Sequence, residues 1–258
     1  MSLILSIIHP AGIIMAADSR KTLTGISTIG DTVTQFISFE KKRKLFHLKN
    51  IGCIGMWGDF TSIETTLSHH LTMFELSNTD VTNLADSLLQ FLKKNINKDN
   101  NDDIGFHIAG YNVNNEPKLY HVFFGKDRGP DIDQNNNRQD FKKYDHSNFK
   151  ALYNGNNTLG HMLIDFTLKM KSELGILKWL DEYPINISKQ FAKILIEQVS
   201  KVDNTVGDDI IVATISKNNS IDINIDPNEQ ISDDITAYVI PSGINGGYNT
   251  DPTGSLSQ

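Results

Sequence analysis

The order of segments along the chain predicts an α+β fold, a four-layer αββα sandwich of two stacked, mainly antiparallel sheets. Three observations carry that expectation. Short apolar runs come in adjacent pairs joined by turn residues, the mark of antiparallel hairpins. Helical periodicity comes in two consecutive pairs, at 61–76 with 80–95 and at 158–174 with 187–202. The series therefore runs strands, two helices, strands, two helices, strands, which is not the strict βαβ alternation of a doubly wound parallel sheet. Each helix pair needs one sheet face to cover, and two sheets stacked face to face with helices outside satisfy every apolar surface.

The first pair of strands is read at 2–8 and 12–17, with Pro10, Ala11 and Gly12 as the turn. This run could pass for the core of a secretory signal, but no Lys or Arg precedes it and His9-Pro10-Ala11-Gly12 breaks it in the middle. A buried hairpin is the preferred reading. A polar stretch at 21–34 and a short strand near 35–39 follow. A second pair, 44–48 and 51–56, turns at Lys49-Asn50. In the first helix Ile63, Leu67, Leu71 and Phe74 recur at helical spacing; in the second Val81, Leu84, Leu88, Leu89 and Leu92 do, with Thr79 or Asp80 as the N-cap. Strands at 104–110 and 118–124 flank the turn-rich 112–117. The third helix ends at Gly175, the fourth is entered through Asn186 or Ser188, and strands at 210–216 and 220–225 close the fold.

The chain has 258 residues, 24 Lys+Arg against 31 Asp+Glu, a net charge of −7 and 39% hydrophobic residues. That is enough apolar material for a real core. We draw a single domain at 2–240, carrying a polar insertion at 125–148 rich in Asn, Asp, Lys and Gly, and a tail at 241–258 with almost nothing to bury, expected to be flexible. The acidic balance, with no Lys/Arg stripe, argues against nucleic acid and anionic membrane surfaces as partners. No apolar stretch reaches the ~18 residues of a spanning helix. Cys53 is alone, so neither an internal disulfide nor a structural zinc cluster is expected, and a reducing, cytoplasmic compartment is.

Met1-Ser2 opens a buried strand. Removal of the initiator methionine is expected before so small a residue, leaving Ser2 with a free α-amine. Such an amine titrates near ~7.7–8.0, so one residue holds both a hydroxyl nucleophile and a base beside it. The second strand ends at Ala16-Ala17-Asp18-Ser19-Arg20, and Lys44 opens a later one. In a tight hairpin Asp18 lies near the start of the first strand. Lys44, delivered from a neighbouring strand, would polarise the seryl oxygen, with Asp18 holding the lysine charged and oriented. Other chemistry-bearing residues read as structural: His69-His70 point apart on a helix, His107 and His121, on apolar strands that could set them opposite each other, read as satisfied core or edge histidines, and Cys53 is a buried, inert thiol.

A short apolar strand after Ser, then Gly-Ile-Ile-Met-Ala-Ala-Asp-Ser-Arg at 12–20, a lysine before an apolar strand, and Gly-Cys-Ile-Gly-Met-Trp-Gly-Asp at 52–59 together resemble the β-subunits of proteasomes. These are N-terminal nucleophile hydrolases, whose fold is the αββα sandwich. Arg43-Lys44-Leu45-Phe46-His47 and Thr205-Val206-Gly207 are most similar to the bacterial ancestral-β-subunit group, Anbu. The likeness is densest over 2–59 and looser beyond.

The resemblance implies a peptidase or amidohydrolase in which Ser2 is the nucleophile, Asp18 and Lys44 the charge pair, and Arg20 its support. It implies that the Gly58 N–H faces the oxyanion and that Asp203 orients the amine. Thr22 corresponds to a position whose backbone pairs with an extended peptide, and Met56 and Lys42 to walls of the first specificity pocket. Trp57 stands where the family's residues are small, narrowing that pocket. Asn156 and Val206 fall where the family keeps accessory serines; Asn can hydrogen-bond but not relay a proton, Val does neither, and Thr205 substitutes if the turn shifts by one residue. No cofactor or metal is required. The implied substrate is a peptide or unfolded protein, and the implied assembly a homo-oligomeric ring or open ring, with an ATPase unfoldase as a further partner. Two alternatives stand beside this reading. A catalytically inactive subunit would serve as a scaffold or binding ring, and a secreted binding domain would have its mature terminus near Asp18.

Overall fold

A computed structural model describes residues 3–29, 32–58, 60, 63–97, 103–125, 140–148, 151–155, 181–203, 206–207 and 209–224. The sites expected at Ser2, Asn156 and Thr205, the third helix and the tail at 241–258 lie outside the described residues.

Strands β1 (Leu3–His9) and β2 (Gly12–Asp18) form the expected hairpin. They sit inside a five-stranded sheet of order β10-β1-β2-β11-β12, completed by β10 (Ala151–Gly155), β11 (Ile210–Ile215) and β12 (Ile221–Asn224). The second five-stranded sheet runs β5-β6-β7-β8-β9, from β5 (Leu45–Leu48) and β6 (Gly52–Gly58) through β7 (Ile104–Tyr111) and β8 (Pro117–Gly125) to β9 (Asp140–Asp145). Every strand pairing is antiparallel.

The alternation of side chains along a strand sorts the core into three layers. Ile4, Ile8, Ile13, Met15 and Ala17 of the first sheet meet Cys53, Trp57, Ala109 and Phe123 of the second, forming the inter-sheet core. Their neighbours Leu3, Leu5, Ile7, Ile14 and Ala16 face the helix α3 (Ile185–Val202), through Ala192, Leu195, Ile196 and Val199. On the far side, Ile54, Met56, Phe106, Ile108 and Val122 pack under α1 (Glu64–Ser77) and α2 (Val81–Asn95). This is the αββα sandwich. It also explains the signal-like N-terminal run: β1 and β2 are covered on both faces, so every position is buried and both parities are apolar.

Local detail departs from expectation in three places. The polar stretch at 21–34 and the short strand near 35–39 are parts of one ribbon of two antiparallel strands, β3 (Arg20–Ile29) and β4 (Thr32–Lys41), ten residues each. Its β-branched Thr, Ile and Val carry strand propensity without a continuous apolar run. Within the span read as an insertion, β9 pairs with β8 at the sheet edge, where Phe141 packs at a tilt against Phe124 while its lysines keep the edge charged. Neither Asn186 nor Ser188 caps α3; its N-cap is Pro184, without a side-chain bond, and Ser188 lies buried inside the helix. Asp80, by contrast, caps α2 as read, accepting from the Thr82 and Asn83 amides.

Candidate functional site

Asp18 closes β2 and is fully buried. Its carboxylate accepts from four donors. Oδ1 takes the Lys44 ammonium at 2.7 Å and the Leu3 amide at 2.7 Å. Oδ2 takes the amides of Arg20 at 3.1 Å and Gly207 at 3.0 Å. Lys44, immediately ahead of β5, is 5% exposed at its side chain and anchored through its own carbonyl, which accepts from the Met56 amide. Burial lowers the Lys44 pKa from the ordinary lysine value; the Asp18 charge and hydrogen bond oppose that, and the charge of Arg20 adds to it. The ion pair thus joins the end of β2 to the start of β5, beneath the first residue of β1.

Ser19 fastens the same corner, donating its amide to the Asp209 carbonyl and accepting from the Lys42 amide. The aspartate, lysine and arginine expected from sequence therefore converge, although Arg20 supports the pair through its backbone. The likeness offered no role for the amides of Leu3 and Gly207 or for Ser19. Only the glycine after Val206 hinted at a close backbone approach.

Gly58 ends β6 with φ +95°, and a side chain there would place its Cβ 2.1 Å from the Asp103 carbonyl oxygen, so glycine is obligatory. Asp203 follows α3, its amide capping Val199 and its carbonyl receiving the Val206 amide, at the head of the turn that delivers Gly207 to Asp18. Thr22 lies in β3 opposite Phe39. Met56 and Trp57 occupy opposite faces of β6. Met56 packs with the helix-side core, whereas Trp57 points between the sheets and donates its indole N–H to His121 Nε2 at 3.2 Å. Strand alternation puts the two residues on different sides of the sheet.

A second polar cluster lies in the inter-sheet core. His107 and His121 face each other across β7 and β8. His107 Nε2 donates to Asn154 Oδ1 at 2.7 Å, which leaves Nδ1 to accept from the Ser6 hydroxyl at 2.9 Å. Burial holds His107 down to about 3 and His121 well below the ordinary imidazole value. Cys53 is buried, and desolvation pushes its thiol up to about 12, so it is inert as a nucleophile at neutral pH. Each of His69 and His70 bonds the carbonyl four residues back in α1. Among the described residues no group of three or more His, Cys, Asp or Glu is placed to hold a metal ion.

Two stacked antiparallel sheets lie between helices, with strand ends meeting at a buried Asp–Lys pair. This fold is similar to that of the solved structure of Anbu, the ancestral β-subunit, from Yersinia bercovieri. The TM-score is 0.54 at 16% identity, over 84% of this chain and 83% of that one. No protein-family profile and no curated protein matches the sequence. The likeness establishes the fold. Among the described residues, no helix is long and apolar enough to cross a membrane.

Proposed function

We propose that the chain is a proteasome-like peptidase or amidohydrolase whose nucleophile is Ser2, exposed by removal of Met1. The observation that carries this reading is the buried Lys44–Asp18 pair, whose shared Oδ1 also holds the amide of Leu3, the residue joined to Ser2. In this mechanism the Ser2 hydroxyl attacks a peptide carbonyl while its α-amine takes the proton, directly or through water. Lys44 polarises the seryl oxygen, and Asp18 keeps the ammonium in place. The Gly58 N–H stabilises the oxyanion, a contribution of ~2.7–4 kcal/mol for such donors. Asp203 orients the amine; the scissile C–N bond breaks as the protonated α-amine returns its proton to the leaving amine, and water then hydrolyses the ester intermediate. Thr22, on β3, offers backbone pairing to an extended peptide, and Lys42 and Met56 border its first side chain.

The substrate class is a peptide or unfolded protein, cleaved in the cytoplasm inside a ring or open ring of copies of this chain, with an ATPase unfoldase as feeder. A β-lactone probe tests the chemistry. Wild-type protein is expected to gain one acyl adduct per chain by intact mass, on a species lacking Met1. Ser2→Ala should fold normally and gain none, and labelling that persists in Ser2→Ala overturns the assignment. Retention of Met1 would place the amine one residue from the hydroxyl and leave the scaffold reading. Val206 favours that second reading: it is buried against α3 where the family keeps a serine.

A further inference from the structure

We infer that Gly207 is a positioning residue for the Asp18–Lys44 pair: its amide, carried on the turn after α3, fixes the rotation of the Asp18 carboxylate and aims Oδ1 at Lys44 and Leu3. The catalytic consequence of this inference rests on the peptidase reading; the geometry does not. A carboxylate offers about four acceptor sites, and here four donors occupy them, two on each oxygen. The two donors on Oδ2 are not equivalent. Arg20 is two residues from Asp18, so its amide travels with the end of β2 and cannot fix the carboxylate relative to the rest of the fold. Gly207 lies 189 residues away and reports the position of a separate element, the end of α3.

The approach demands glycine. A Cβ at 207 would sit 2.9 Å from Arg20 Cβ and 3.0 Å from Arg20 N, both on the segment that carries Asp18. Any side chain lifts the turn from that segment and stretches the amide contact. Both oxygens would then share the remaining donors, and Oδ1 would turn from Lys44. Lys44 is the group that senses this. Among the described residues the charged groups acting on it are Asp18, which raises its pKa, and Arg20, which lowers it. The turn that presents Gly207 also bears Asp203, so a shift of the α3 end would disturb the ion pair and the amine-orienting carboxylate together.

The test is an amide-to-ester exchange in the full chain, with glycolic acid at 207, which deletes the N–H and adds no side chain. Gly207→Ala serves as a second variant. Leu88→Ala, fully buried under α2 in the core on the far side of the second sheet, is the control for a general loss of stability. The Lys44 ammonium is titrated by NMR with 15Nζ-lysine, assigned by Lys44→Arg. The ester is expected to lower the Lys44 pKa by about one unit, since a less well-held counter-charge offsets less of the desolvation. It should also slow β-lactone acylation at pH 7 about tenfold, equivalent to one unit in the base–acid balance, with probe affinity unchanged. Leu88→Ala should lower Tm and leave the titration as in wild type. An unchanged Lys44 titration in the ester variant, or an equal shift in Leu88→Ala, overturns the inference. If wild-type protein itself takes no label, the peptidase reading fails, while the titration still decides the role of Gly207.

Discussion

Two buried polar clusters occupy this sandwich, and residue identity alone would rank them wrongly. Ser6, His107 and Asn154 form a hydroxyl–imidazole–amide chain that on paper looks like a nucleophilic triad. Asp18 and Lys44 are merely an ion pair. Position reverses the ranking. Ser6 and His107 are wholly enclosed between the sheets, and the Ser6 hydroxyl and both His107 ring nitrogens are taken up inside the protein. No carbonyl carbon can approach the Ser6 hydroxyl without parting the core. Asp18 and Lys44 stand at strand ends, where backbone amides of separate segments converge on one carboxylate and where β1 begins. The first cluster ties the sheets together with neutral groups. The second keeps a charge at the corner where the chain starts, at a desolvation cost that only good geometry offsets.

Removing the charge from the corner gives the largest expected effect on stability. Asp18→Ala leaves the Lys44 ammonium buried without its partner and orphans three backbone amides, so the variant should lose about 3–5 kcal/mol in urea unfolding together with all probe labelling. A loss below about 1 kcal/mol would mean that the corner is far wetter than its burial implies, and would erase the contrast between the clusters.

Acid attacks the other cluster. His107 and His121 are neutral when folded, with pKa values pushed to about 3 and well below the usual imidazole value by burial. In the unfolded chain each titrates near ~6.5 and binds a proton below that. The unfolded state therefore binds more protons as pH falls, and stability drops with it. Above about pH 7 neither histidine contributes a slope. Between pH 6.5 and 5 each should cost about 1.6 kcal/mol, roughly 3 kcal/mol for the two, and the fall continues toward the folded pKa. Urea midpoints across that range provide the measurement. His107→Leu should flatten about half the slope, and an unflattened slope would move the acid sensitivity elsewhere.

What the sequence discloses follows the same division. The β1–β2 hairpin is legible because both its faces are covered, making its apolar runs continuous. The Asp18–Lys44 pair is legible because two charged side chains at strand boundaries leave a spaced pattern. Of the β3–β4 ribbon only the part near 35–39 is, since elsewhere its apolar positions are interleaved with Thr, Ser and Gly and resemble a polar loop. Strand β9 hides its pairing behind the charges that protect a sheet edge. The amides of Leu3 and Gly207 are invisible for a more basic reason: a backbone N–H has no residue identity, so its aim appears only when the turn after α3 is seen against Arg20. A likeness in sequence order likewise does not say which face of β6 Met56 or Trp57 takes.

The smallest expected effect is also the one that separates the clusters most directly. Ser6→Ala removes the hydroxyl that donates to His107 Nδ1, while His107 Nε2 remains committed to Asn154. An imidazole acceptor is then stranded in the core, with the cavity of one oxygen beside it. The cost of such an orphaned group is about 1–3 kcal/mol, read as a shift of the urea midpoint at pH 7.5, where the histidines carry no charge in either state. Acylation by the β-lactone should proceed at the wild-type rate, because Ser6 lies three residues along β1 from Leu3 and on the inter-sheet face. If Ser6→Ala instead abolishes the adduct while the protein stays folded, the hydroxyl–imidazole chain is the reacting group and the core must open to admit substrate. The ion pair at Asp18 would then be the structural cluster, and the roles assigned to the two regions would exchange.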